Sequence, residues 1–332
     1  MMSRLLVATA KRVDPLAKSL GLTTEMVHPF FRMVSRLSYK PDFFNHKLSC
    51  EFIPDLLKLD KRAPDWRDCC LERARDILKK YPGKIYLSWS GGIDSTTLVS
   101  SMLEIASDED RKRLVIVLSH HSVLENPSYF EKYLLKFSRL SILEDLSPRL
   151  LEEDAVLVTG ELGDQLFGSD FLLNADFKKS YQDSVPEMIG RTAFERLQPI
   201  VNEAPFPIRT THDFFWWFNF TQKWQFVKFR AYEHTTWNLQ ATYGKNLLHF
   251  FDTVDFQLWS LQNHDLKHRG DWSTYKAAAK DFLFEITNDP AQLSLQKYQS
   301  LEKTYLVSEN RIAIDEEGKV VNSLEELAKY VH

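Results

Sequence analysis

The sequence predicts an α/β fold, a parallel sheet of about five strands flanked by helices. Two observations carry that expectation. Short continuous apolar runs at 85–87, 114–118 and 155–159 alternate with helical patterns, and such runs read as strands buried on both faces. Two of these runs lead into strings that combine glycine with acid: Ser90-Gly91-Gly92-Ile93-Asp94-Ser95 and Gly160-Glu161-Leu162-Gly163-Asp164. Ligands of open parallel sheets bind beyond the carboxyl ends of the strands, so both strings fall where a site belongs.

The elements follow in order. Residues 1–80 read as a helical N-terminal extension. In it, Thr23 or Thr24 caps a helix to Met33, Pro41, Pro54 and Pro64 cut the middle, and Asp65 to Lys80 forms an amphipathic helix burying Cys69, Leu71, Ala74, Ile77 and Leu78. Pro82-Gly83 turns into the first strand, and Thr96 to Leu103 reads as the helix behind the first string. Asp108 to Arg113 is a charged loop, and the second strand ends at Ser119-His120-His121. Adjacent residues on a strand end point opposite ways, which weakens a shared metal role for the two histidines. Pro127 to Leu140 reads as a helix, and 155–159 as the next strand. His212 to Tyr232 is crowded with aromatics. An aromatic helix can stack bases, whereas rings on most faces of one helix indicate deep burial. The C-terminal half reads as helix-rich, with Asp271 to Ile286 a helix bearing Lys276 and Lys280. Arg311 to Val321 reads as a hairpin, and Ser323-x-x-Glu326 as a capping box for a last helix. The expected organisation is an extension at 1–80, a central domain at 81–310 and a terminal hairpin and helix at 311–332.

Composition narrows the classes. With 332 residues, 44% hydrophobic and 27% charged, the chain can bury a sizeable core. A net charge of −4 supplies no global basic field for nucleic acid. No apolar run approaches the length of a membrane span. The three cysteines, Cys50 and the adjacent Cys69-Cys70, make no zinc spacing, and so sparse a set fits a reducing cytoplasm. The opening MMSRLLVATAKR is basic and free of acids, as transit peptides are, but it is short and soon followed by Asp14, so a cytoplasmic protein is expected.

The first string has the physical recipe for phosphate. Two glycines let the backbone approach an anion closely, and N–H groups at the following helix start point at it. Ser90, Ser95 and Thr96 add hydroxyls. Asp94 would repel phosphate directly, so its natural role is to hold a Mg²⁺ that the phosphate shares. The plainer alternative is an ordinary strand-to-helix turn with a capping Asp or Ser.

SGGIDS resembles the PP-loop of ATP pyrophosphatases, which cleave ATP between its α- and β-phosphates; it lacks the Gly-Lys-Ser/Thr of a Walker A loop. GELGD resembles the Gly-Glu-Gly-x-Asp-Glu signature of asparagine-synthetase-like and β-lactam-synthetase-like enzymes. Gly160, Glu161 and Asp164 match that signature, while Leu162 and Gln165 depart from it. Phe250-Phe251-Asp252 looks like the family's Pro-Phe-Leu-Asp turn, and Lys276 to Lys280 looks like its Lys-x-x-Leu-Arg helix. Lys297 falls where the family carries a second active-site lysine.

The resemblance implies an adenine-nucleotide α-hydrolase-like fold and an ATP-dependent synthetase using Mg²⁺. Such an enzyme adenylates a small-molecule or peptide carboxylate, then passes the acyl group to ammonia or an amine. In this scheme Asp94 and Asp164 hold Mg²⁺, and Ser90, Gly91, Gly92 and Ser95 cradle pyrophosphate. Leu118, Ser119 and Gly160 lie near adenine, Lys276 and Lys297 neutralise the leaving group or the carboxylate, and Glu161 takes a proton from the amine. The family's glutaminase domain begins with a nucleophile after Met1; here position 2 is Met2, which implies a separate glutaminase partner or free ammonia. Two alternatives stand beside this: a PP-loop enzyme adenylating a nucleic-acid base, for which the acidic balance is unfavourable, and a non-catalytic nucleotide-binding protein reported by Leu162 and Gln165.

Overall fold

The structure, a computed structural model, describes residues 36–37, 51–141, 149–150, 154–168, 195, 198, 200–225, 227–228, 245–295, 313–314 and 320–321. Lys297, the helix expected up to Met33 and the final capping box lie outside them. The chain divides into two compact units, one drawing on Asp60–Phe167 and Ala231–Thr304, the other on Met1–Leu59, Gly168–Arg230 and Tyr305–His332.

The first unit is an α/β sandwich around a five-stranded, wholly parallel sheet. Its strands are β1 (Ile85–Ser88), β2 (Leu114–Leu118), β3 (Ser138–Ser141), β4 (Val156–Thr159) and β5 (Leu247–His249), in the order β3-β2-β1-β4-β5. The chain steps outward from β1 to β3, then returns to lay β4 on the other side of β1. The boundary between β1 and β4 is therefore the topological switch point, where the connections leave in opposite directions and open a crevice. Ile85, Leu87, Ile116, Val117, Val156 and Val158 are almost wholly buried, as strands covered on both faces require.

Helices cover the sheet. Helix α1 (Trp66–Lys80) starts where the Asp65 carboxylate accepts the Asp68 N–H at 2.7 Å and ends with Lys79 and Lys80 at the negative end of its dipole. It packs on α2 (Ile93–Ile105), which is buried on almost every face and follows β1 directly. Helix α3 (His120–Glu125) follows β2, α4 (Gly163–Phe167) follows β4 and α5 (Val254–Gln262) follows β5. Helix α6 (Ala277–Thr287) packs on both α1 and α2. Trp66 meets Phe167 at 4.7 Å, Trp259 at 4.6 Å and Phe256 at 5.1 Å between ring centroids. Each such pair adds about 0.5–1.5 kcal/mol beyond its burial, and together they clamp α4 to α1 and α5.

Several elements differ from the sequence expectation. Pro127 to Leu140 is not one helix: a short turn at Pro127–Tyr129 passes into a π-helical turn at Phe130–Leu134, and the chain then enters β3. Asp108–Lys112 is a one-turn helix with a Ser107–Asp110 capping box, not a loop. His120-His121 opens α3 rather than ending a strand, so the strand-alternation argument does not apply to it. The helix expected from Asp271 begins only at Ala277, after a 3₁₀ turn at Trp272–Thr274.

In the second unit, the aromatic stretch is a helix at Thr211–Phe218 that continues through a π-helical turn at Asn219–Lys223. Trp216, Trp217 and Phe220 are fully buried, so these rings form core and offer no face to a base. Arg36 is buried among them, its guanidinium 4.6 Å from the Trp224 ring and donating to the Phe220 carbonyl at 3.0 Å. Two short strands, β6 (Ala313–Ile314) and β7 (Val320–Val321), pair antiparallel as the hairpin expected there.

Candidate active site

The glycine loop joins β1 to α2. The Trp89 N–H extends the ladder to the Val117 carbonyl at 2.8 Å, and the chain then turns at Gly91, whose φ of +85° is open to glycine at little cost. A Cβ at Gly91 would also run into the Ser122 carbonyl and the Glu125 side chain at the start and end of α3. The loop's hydroxyls are tied together. Ser95 Oγ accepts from the Ser90 N–H at 3.1 Å, donates to the Gly92 carbonyl at 3.1 Å and lies 3.0 Å from Ser90 Oγ. Trp89 Nε1 donates to Thr96 Oγ1 at 3.1 Å from below. Gly92 is the N-cap of α2 and no side chain caps it, so Asp94, in the first turn, is not spent on the turn itself.

The second string joins β4 to α4 one strand away. Leu162 takes φ +77°, a left-handed conformation that costs a Cβ-bearing residue about 1–2 kcal/mol, and its side chain is buried. It stands at the position of the third residue, Gly, in the resembling signature. The two strings touch. A Cβ on Gly160 would lie 3.0 Å from the Ser95 backbone, and one on Gly163 would overlap the Asp94 carboxylate. Only a residue without a side chain lets Asp94 sit against the turn that carries Asp164.

Lys276 completes the arrangement. Its ammonium lies 2.8 Å from Asp164 Oδ1 and bonds Asp94 Oδ2 as well, bridging the two carboxylates. The lysine side chain is 3% exposed, against 19% for Asp94 and 24% for Asp164. Its backbone is left-handed at φ +61°, and it serves as N-cap of α6 rather than as a residue within that helix. Tyr275, buried beside it, donates from its hydroxyl to Asp164 Oδ1 at 3.2 Å. Lys280, one turn into α6, is buried with its amine donating to the Ser273 carbonyl at 2.7 Å. Burial first, then the Lys276 charge, pushes the Lys280 amine down to about 8.

The remaining candidates lie around this centre. Glu161 is half-buried, and its N–H reaches Thr159 Oγ1 at 3.3 Å. That hydroxyl lies 2.8 Å from His249 Nδ1 at the end of β5. The Phe250-Phe251-Asp252 turn is pinned by the Phe250 N–H to the Thr159 carbonyl at 2.9 Å, and by Arg73 of α1, which donates to the His249 and Phe250 carbonyls at 3.1 Å. Leu118 and Ser119 are half-buried at the end of β2, where Ser119 caps α3 through the Ser122 N–H at 3.2 Å. Sequence reasoning missed Tyr275, which adjoins a lysine already singled out, the one signal that marks it.

Two carboxylates sharing one cation define a place that calls for positive charge. Like unit charges 4 Å apart repel by about 4 kcal/mol at an effective dielectric of 20. Mg²⁺ takes one or two protein carboxylates and completes its shell with water and phosphate oxygens, so the donor set of Asp94 and Asp164 beside a glycine loop fits it. Comparison of the whole chain with family models, curated proteins and solved structures returns no match in any of the three.

Proposed function

We propose that the chain is a PP-loop ATP pyrophosphatase on an adenine-nucleotide α-hydrolase-like sheet. Within that class it is an amide-forming synthetase that is asparagine-synthetase-like in its chemistry. The observation that carries the reading is the meeting of Asp94, Asp164 and Lys276 at the β1–β4 switch point, against a glycine loop. In this reading the domain responsible is 81–310 and the protein works in the cytoplasm.

The reaction sets a charge problem. A substrate carboxylate oxygen attacks the α-phosphorus of ATP, the bond to the bridging oxygen breaks, and pyrophosphate leaves. The amine then attacks the acyl carbon, loses a proton, and AMP departs. Mg²⁺, when bound, neutralises phosphate charge, and Asp94 and Asp164 hold it. Ser90, Gly91, Gly92 and Ser95 seat the pyrophosphate, which has to draw the Ser90 hydroxyl out of its bond with Ser95. Lys276 supplies positive charge to the departing group, with Lys297 as its second. Glu161, at the mouth of β4, takes the amine proton. Leu118, Ser119 and Gly160 border the adenine. The nitrogen comes as ammonia or an amine, or from a separate glutaminase.

The test is ATP-to-AMP turnover with a panel of carboxylic acids, the acyl-adenylate being trapped and weighed by mass spectrometry. Asp94→Ala and Asp164→Ala are each expected to lower pyrophosphate release by about 10³-fold or more, the several kcal/mol that a catalytic metal supplies, while leaving the circular-dichroism spectrum unchanged. Wild-type release at limiting Mg²⁺ in either variant would refute the assignment.

A further inference from the structure

We infer that the Lys276 ammonium is the resident counter-ion of the Asp94–Asp164 pair, and that a divalent cation and Lys276 occupy this place in turn. Arrival of the ion expels the lysine side chain from between the carboxylates. The inference rests on the proposed function only in taking Asp94 and Asp164 as the ion's ligands.

Three features support the exchange. The ammonium bonds one oxygen of each carboxylate, so it stands where an ion shared by both would stand. It is almost wholly buried there, and a second cation cannot enter beside it without mutual repulsion in a site largely closed to water. Part of the setting does not depend on the lysine: Tyr275 keeps its hydroxyl on Asp164, and Gly163, having no Cβ, leaves the Asp94 carboxylate its room against the second string.

The lysine is also built to move by side-chain rotation. Its backbone is fixed on both sides, by the Ala277 N–H on the Lys267 carbonyl at 3.1 Å and the Lys280 N–H on its own carbonyl at 3.0 Å. The four-carbon stem can swing while α6 stays in place. The exchange trades one cation for another: the ammonium offsets one of the pair's two negative charges, and a divalent ion offsets both. It also releases a positive charge into the crevice at the moment an ion and its phosphate arrive.

Mn²⁺ alone, without nucleotide, is titrated into wild type, Lys276→Met and Lys280→Met, with free ion read by electron paramagnetic resonance. Lys280→Met removes the same charge one helical turn away, where the amine bonds Ser273 instead. Lys276→Met is expected to bind Mn²⁺ about tenfold tighter than either of the others, because apparent affinity scales with the fraction of protein whose site is vacant. Adding Asp164→Asn should erase the gain. Equal affinity in wild type and Lys276→Met, or equal tightening in both lysine variants, overturns the exchange and leaves the carboxylates as ligands. Binding indifferent to Asp164→Asn overturns the metal assignment and the exchange together. A measurement on wild type covers a Lys276→Met that fails to fold. Amine-reactive labelling mapped by mass spectrometry should rise at Lys276 on adding Mn²⁺ and stay constant at Lys280, and unchanged labelling of Lys276 at saturating Mn²⁺ overturns the inference.

Discussion

Glu161 carries the sharpest chemical question at the scale of single residues. It lies two residues beyond β4 and three positions before Asp164, outside the Lys276 bridge. In the proposed role of base for the attacking amine, it would act only in the second half-reaction. Glu161→Gln keeps the volume and the hydrogen-bonding reach, so adenylate formation should persist while acyl transfer slows by about 10²–10⁴-fold. The two half-reactions are measured apart, by pyrophosphate exchange and by amide formation from accumulated adenylate. Equal slowing of both would make Glu161 a shaper of the nucleotide pocket, with the base elsewhere. Lys276 shows what single residues conceal. Its run, Lys-Ala-Ala-Ala-Lys, reads as the inside of a helix because every residue in it favours one. The left-handed φ that places the ammonium between two carboxylates is imposed by tertiary contacts, and no local propensity announces it.

Among elements, the β4–α4 turn is where the chain departs from the signature it resembles, and the backbone makes the departure costly. The turn needs a positive φ, and Leu162 supplies it under strain in return for a buried side chain. Truncating that side chain exposes the backbone term. Alanine normally stabilises relative to glycine, but here Leu162→Gly should be more stable than Leu162→Ala by about 1 kcal/mol, because alanine keeps the Cβ clash. Chemical denaturation of the two variants checks the order, and alanine above glycine would show that the left-handed turn is not retained. The sheet was legible in part for related reasons. β1, β2 and β4 are continuous apolar runs buried on both faces. β3 is not, because Ser138, Arg139 and Ser141 sit on an edge strand that needs little apolar character. β5 has three residues, too few for a periodicity to register. The two glycine-acid strings were visible and Lys276 was singled out through the resemblance alone, whereas Tyr275, and the bridge that Lys276 makes, depend on long-range packing that no spacing encodes.

For the molecule as a whole, the buried Lys280 ties stability to pH. Its folded amine titrates at about 8 against an ordinary 10.5, so between these values the unfolded chain holds the extra proton. Stability therefore carries a penalty that is complete below about 8 and is relieved as pH rises toward 10.5. The denaturation midpoint of wild type relative to Lys280→Met should climb across that window, and parallel curves for the two would refute the shift. The strand order β3-β2-β1-β4-β5 also sets a timetable. Asp94 lies 182 positions before Lys276, and Asp164 lies 111 before Tyr275. At a synthesis rate of about 5–20 residues per second, a nascent chain carries both acids for on the order of ten seconds before their lysine is made. Throughout that interval the counter-ion that the folded protein gives Asp94 and Asp164 does not yet exist, and the two acids are made and exposed without it.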